Sequence, residues 1–249
     1  MSRYLLEVCV DSVESAQNAC RGGADRLELC ADLLVGGTSP TPALIRAVQN
    51  NVNIPIRVLL RPRFGDFCYT PCEKAILLEE LAEVRQMGAA GAVIGALTPD
   101  GALDAAFLAQ CRAAAGTMPL TLHRAFDVCA DPFAALAEAA RLGFDTVLTS
   151  GQQADACAGA PLLAELVGAA PASVTVLVGS GVTPDNIGEL AEKTGAHAFH
   201  FSARKAQPSP MRLRRDGVPM GLPLADEFTR WYADEAAVRA ARAKLDACR

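Results

Sequence analysis

Apolar positions along the 249-residue chain fall into two alternating rhythms. Short runs rich in β-branched residues recur near 4–9, 25–30, 55–61, 91–96, 119–124, 145–150, 174–179 and 197–202, each of strand length. Between them the apolar spacing is helical. Cap-plus-proline pairs punctuate the helix starts: Thr41-Pro42, Thr70-Pro71, Thr98-Pro99, Asp131-Pro132 and Thr183-Pro184. Glycines close the helices at Gly22-Gly23, Gly88, Gly116, Gly143 and Gly195. Eight strands alternating with helices predict an α/β protein with a parallel sheet, and the count fits a closed (β/α)8 TIM barrel built as one domain over 1–249. An open doubly wound sheet is the other candidate, and no G-x-G-x-x-G follows the first strand to support it. The proline-rich stretch 203–224, with Arg212, Arg214 and Arg215, predicts an irregular excursion, a lid or a subunit contact, followed by a closing helix over 225–248.

Within each strand the alternation sorts side chains into two sets, because successive residues point to opposite faces. Leu6 and Val8 face the helices, which turns Glu7 and Cys9 inward. By the same rule Glu28 and Cys30, then Arg57, Leu59 and Arg61, then Thr121 and His123, and finally Ala198, His200 and Ser202 point into the barrel. The first two strands even repeat a motif, Leu6-Glu7-Val8-Cys9 and Leu27-Glu28-Leu29-Cys30. A carboxylate inside an apolar strand is costly unless paired or used. Strands four and six do not alternate clearly.

The inward set therefore holds Glu7, Glu28, Arg61, His123 and His200 near the strands' C-terminal ends, where barrel enzymes keep their active sites. Such groups suit general acid–base chemistry at neutral pH. A salt-bridge plug, with Arg61 neutralising a glutamate, is the competing reading. Asp127, in the loop after strand five, could orient His123 or Arg124, or cap its own loop.

The loops after the last strands add a candidate anion site. Gly179-Ser180-Gly181 lets backbone approach a ligand ahead of a helix start, and Ser202-Ala203-Arg204 follows strand eight. Ser150 and Gly151, in the turn after strand six, could join them. Gly179, Gly181, Ser202 and Arg204 form its centre, against the alternative of an ordinary glycine turn.

Charge and cysteine usage narrow the class. Net charge is −5, with scattered Lys and Arg, which gives no support for nucleic-acid binding. Glu7 and Asp11 interrupt any apolar signal-peptide core, and the longest uncharged stretch, Leu166 to Val182, contains Pro171 and three glycines and does not read as a membrane span. Nine cysteines, an odd number without a CxxC pair, fit free thiols in a reducing cytoplasm. No organic cofactor is indicated.

The motifs LLEVCVDS (5–12), GGADRLELCADLLVGGTSP (22–40), RPRFGDFCY (61–69), GALTPDG (95–101), HRAFD (123–127), LTSGQQ (148–153) and GSGV (179–182) together resemble the copper homeostasis protein CutC family. Where that family ends strand eight with a His-Gly-Ser-Ala-Arg type of run, this chain has His200-Phe201-Ser202-Ala203-Arg204. The resemblance implies a cytoplasmic (β/α)8 barrel that forms a homodimer and is linked to copper handling, without supplying a reaction. Copper(I) favours thiolate and thioether ligands. Cys9 and Cys30 end adjacent strands on the inward side, which allows a two-coordinate Cu(I) site; two small buried core cysteines are the plainer reading. Two functions stand side by side: a copper-binding homeostasis protein, and a barrel enzyme acting on a small anionic or phosphorylated metabolite.

Overall fold

The structure, a computed structural model, describes residues 3–215, 217–218, 221 and 226–248. Eight parallel strands close on themselves: β1 (Leu5–Val10), β2 (Arg26–Leu29), β3 (Ile56–Leu59), β4 (Gly91–Ile94), β5 (Leu120–Leu122), β6 (Thr146–Thr149), β7 (Thr175–Val178) and β8 (Ala198–Phe201), with β1 paired to both β2 and β8. The helices between them are α1 (Val13–Gly22), α2 (Pro42–Gln49), α3 (Pro71–Gln86), α4 (Ala105–Ala115), α5 (Pro132–Arg141), α6 (Ala160–Ala169) and α7 (Ile187–Thr194). This is the (β/α)8 TIM barrel that the alternating rhythms predict.

Outward strand residues such as Leu6, Val8, Leu27, Leu29, Ile56, Val58, Phe199 and Phe201 join the helices in one continuous apolar core. Two smaller clusters fill the inside, one of Cys9, Cys30, Leu59 and Val93, the other of Leu148, Leu177 and Ala198. The inward residues of β4 and β6, unassigned from their pattern, are thus Val93 and Leu148. Both strands are buried on both faces, which erases the alternation. Toward the other end of the barrel, Arg57 donates to Thr121 Oγ1 (2.5 Å), Thr146 Oγ1 (3.1 Å) and Asp145 Oδ1 (2.6 Å), so polar groups plug the interior there.

The caps hold with two exceptions. Thr41, Thr70 and Asp131 accept from backbone N–H groups one turn on and Pro follows each at the first helical position; Thr70 and Glu73 complete a capping box. Thr98-Pro99 instead opens a tight turn, in which Gly101 N donates to Thr98 O (2.9 Å), and α4 is capped by Asp104. Thr183-Pro184 precedes α7 by a turn, and Thr183 N donates to the side chain of Asn186, the residue before the helix.

After β8 the expected irregular stretch is partly regular. Strand β9 (Arg204–Pro208) pairs antiparallel with β10 (Thr229–Ala233), so the closing helix is α8 (Glu235–Ala247), ten residues later than the 225–248 expected. Thr229, Trp231 and Tyr232 favour a pleated surface, and a partner strand outweighs their weak helical spacing. Of the excursion, residues 216, 219, 220 and 222–225 lie outside the described residues. The ribbon is fixed to the barrel: Ala233 N donates to Ser15 Oγ (3.1 Å), Asn18 Nδ2 to Ala233 O (2.9 Å), and Asp234 N to Ala203 O (2.8 Å). No described helix is long and apolar enough to cross a membrane.

Candidate metal and ligand site at the barrel mouth

The register of three adjacent strands sets Arg26, Glu7 and His200 side by side. All have inward parity, and Glu7 is fully buried between the other two. Its Oε1 meets His200 Nδ1 at 2.8 Å, and its Oε2 accepts from Arg26 Nε. The partner of Glu7 is therefore Arg26, not Arg61. Burial pushes the Glu7 carboxyl up, but Arg26 and His200 outweigh it and hold its pKa down at about 2. Glu7 thus serves as a fixed anion that orients His200 and presents Nε2 upward.

Three groups meet above it. The ligand atoms of Cys9, Glu28 and His200 lie within 4.8 Å of one another, and all three residues are buried. His200 Nε2 is 3.9 Å from Glu28 Oε2. Burial disfavours a charged His200, yet the Cys9 sulfur, the Glu28 carboxylate and the hydrogen bonds to Cys9 and Glu7 raise its pKa well above the usual imidazole range. The Glu28 carboxyl is pushed up as well. Burial raises it, His200 opposes, and the Glu7 charge adds to the rise. Cys30 stands behind this trio. Its thiol donates to Glu28 Oε2 at 3.4 Å, and burial, with the Glu28 charge, pushes it well above the ordinary thiol range.

Across the mouth, His123 is 4% exposed and faces the Phe67 ring at 4.8 Å between centroids. Burial first, then the Arg61 charge, lowers its pKa to about 3, so it is neutral. Its Nδ1 accepts from Ala125 N (3.1 Å), which leaves the proton on Nε2. Gly95 makes room for the ring: a Cβ there would lie 2.7 Å from His123 Nδ1. Arg61 spends its guanidinium on carbonyls, donating to Gly37 O (3.1 Å) and Gly65 O (2.7 Å), and rests on Phe67 at 5.0 Å. It fastens the loops after β2 and β3 over the mouth.

A cavity of about 360 Å³ is walled by Cys9, Glu28, Arg61, His123, His200 and Arg204, among others. It adjoins a second space of about 690 Å³, lined by Ser180, Gly181, Ser202, Arg204 and Lys205. Glu7 lines neither cavity. Asp127 also sits apart, with its side chain 6% exposed. It accepts from Arg124 Nε (2.6 Å), Thr149 Oγ1 (2.6 Å) and Ser150 N (2.9 Å), so it clamps Arg124 to the loop after β6 and leaves His123 alone.

The expected anion group separates in the same way. Ser202, Arg204 and Gly181 line the cavities, whereas Gly179, Ser150 and Gly151 do not. The Ser150 hydroxyl lies between Asp127 Oδ2 (3.0 Å) and Gln153 O (2.6 Å). Gly151 has φ +70°, and a Cβ on it would lie 2.4 Å from Gly159 O. A Cβ on Gly179 would strike Leu148 Cδ1 at 2.6 Å, so packing demands that glycine. Arg26, Arg124, Ser180 and Lys205 were not among the sequence candidates. Arg26 shares the parity of Glu28 and was legible by that rule; the others lie in loops and a ribbon, where no period applies.

A profile of the CutC family matches residues 4–205. The mouse copper homeostasis protein cutC homolog is 44% identical over 237 residues, covering 95% of this chain and 87% of its own. A family protein CutC of Citrobacter koseri is 44% identical over 235 residues, covering 94% of each. Among solved structures, a CutC from Streptococcus agalactiae superposes with a TM-score of 0.76 at 28% identity, over 80% of this chain and 98% of that one. The thiamine phosphate pyrophosphorylase of Pyrococcus furiosus, at 14% identity and a TM-score of 0.58, shares the barrel alone. With its profile match, these relatives and the barrel they share, the chain belongs to the CutC family.

Proposed function

We propose that this protein binds one copper(I) ion at the floor of the barrel mouth, on the Cys9 sulfur and the His200 Nε2. The observation that carries this reading is the trio of Cys9, Glu28 and His200 with ligand atoms within 4.8 Å of one another. Two donors each about 2.0–2.3 Å from one ion, as at zinc, stand up to about 4.4 Å apart. The donor set fits: a sulfur suits a soft ion, and imidazole suits copper. Glu7 gives His200 the carboxylate support typical of metal-bound histidines. Binding displaces the proton that Nε2 carries in the metal-free protein. Cys30, beside Cys9 in the same packed cluster, is the alternative second sulfur. Copper(I) and free thiols both persist in a reducing compartment, so the proposal carries a cytoplasmic setting.

The test is a competition titration of Cu(I) against a chromophoric chelator under reducing conditions. Wild type should take up one equivalent. Cys9→Ser should lose it, and His200→Gln should weaken it by about tenfold or more. Loss in Cys30→Ser would assign the second ligand to the Cys9–Cys30 pair. Unchanged uptake in Cys9→Ser overturns the reading.

A further inference from the structure

Few buried side-chain polar atoms lack a hydrogen-bond partner among the described residues, and three of them belong to the wall of one cavity. They are Glu28 Oε1, Arg61 Nε and His123 Nε2. All three residues are more than nine-tenths buried. Buried polar atoms are almost always paired, so three unpaired ones on residues that wall one cavity call for a ligand. The chemistry of the atoms describes it. His123 Nε2–H can only donate, which asks for an oxygen. Glu28 Oε1 offers a carboxyl oxygen that can share a hydroxyl proton in either direction. The copper site uses Cys9 and His200, and His123 has no part in it.

The far side of the same cavity supplies charge. Arg204 lines both spaces, its guanidinium 4.7 Å from the Trp231 ring centre; the Asp11 carboxylate feels its charge, but among the described residues no carboxylate reaches ion-pair distance of it. The next residue, Lys205, pairs with Asp234 at 3.1 Å. Arg204 is thus a cation without an ion pair among the described residues, placed over the mouth by the β9–β10 ribbon. At about 360 Å³ the cavity falls in the range of small-molecule sites.

We propose that the cavity between His123, Glu28 and Arg204 binds a small hydroxylated anion, its hydroxyl or carbonyl oxygen on His123 Nε2 and its charged end on Arg204. This is a second ligand, distinct from copper, at the face where barrel enzymes hold their substrates. The neutral state of His123 serves it, because a neutral Nε2–H polarises an oxygen without giving up its proton.

Isothermal titration of the metal-free, reduced protein tests this with D-glycerate, glycerol 3-phosphate and glycerol. At least one of the two anions should bind saturably, with a Kd of about 1 mM or tighter, and glycerol should not. Preference between the anions tells carboxylate from phosphate. His123→Asn and Arg204→Gln should each weaken binding by about tenfold or more, since each removes one hydrogen bond, that of Arg204 charge-assisted. Arg204 is exposed, so its variant keeps the test readable if His123→Asn unfolds. The titration uses metal-free protein and varies His123 and Arg204, neither of them a proposed copper ligand, so its outcome is separate from that of the copper titration. Binding of neither anion at about ten times that Kd, or wild-type affinity in both the His123 and the Arg204 variant, overturns the proposal.

Discussion

Glu7 Oε1 and His200 Nδ1 stand 2.8 Å apart in the barrel interior, on neighbouring strands that begin and end the sheet. This contact ties the closure of the barrel to the site at its mouth. Glu7 also holds Arg26, so one fully buried carboxylate serves two cationic groups from the two strands flanking β1.

Removing that charge should be expensive. Glu7→Gln leaves Arg26 and a protonated His200 buried without their anion, and breaking a buried pair by one partner costs about 3–5 kcal/mol. Urea denaturation should show a fall of that size. A loss under about 1 kcal/mol would mean the charges relax to solvent.

Acid should destabilise the fold in two stages. His123 titrates near its usual 6.5 when unfolded and at about 3 when folded, so the unfolded chain binds the extra proton between those values and stability falls as pH drops through that window. The Glu7 carboxyl, at about 2 against 4.5, adds a loss below pH 4.5. The limiting slope from His123 is about 1.4 kcal/mol per pH unit. Denaturant melts from pH 7 to pH 4 should be shallower in His123→Asn by up to that slope. Equal slopes would show that His123 is not held neutral.

Gly95→Ala places a methyl 2.7 Å from His123 Nδ1 and Cε1. The ring must tilt, and its bond from Ala125 N lengthens. A destabilisation of about 1–3 kcal/mol is expected from the overpacking, with a shifted His123 ring signal by NMR and Cu(I) uptake unchanged. An unperturbed His123 signal would count against the tight placement.

Asp127→Asn removes the charge that holds Arg124 while leaving an acceptor for Ser150 N. Amide exchange in the Ser150 to Gln153 turn should quicken, at a stability cost of about 1–3 kcal/mol. If that turn stays protected, Asp127 is not its clamp.

Much of this was readable along the chain because strand parity is local. Leu6 and Val8 pack outward whatever the rest of the protein does, and that alone sends Glu7 and Cys9 inward. Glycine stops such as Gly23 and Gly195, both left-handed, are local too. The strand β10 was not readable, since its ladder partner β9 lies some twenty residues away and its own weak spacing favoured a helix. Neither were Thr98-Pro99 and Thr183-Pro184, where a turn and a helix start use the same residues.

The sequence by itself determined which side chains point inward on every strand but β4 and β6, the order of the eight strands and the end of the barrel where the ionisable groups gather. Tertiary structure decided which of those groups meet. Strand stagger in the closed sheet put Glu7 beside Arg26 and His200, left Arg61 to the loops, and set Cys9 with Glu28 and His200 in front of Cys30. Parity is a period of two residues along one strand. Partnership depends on the offset between strands far apart in the chain, which no single strand encodes.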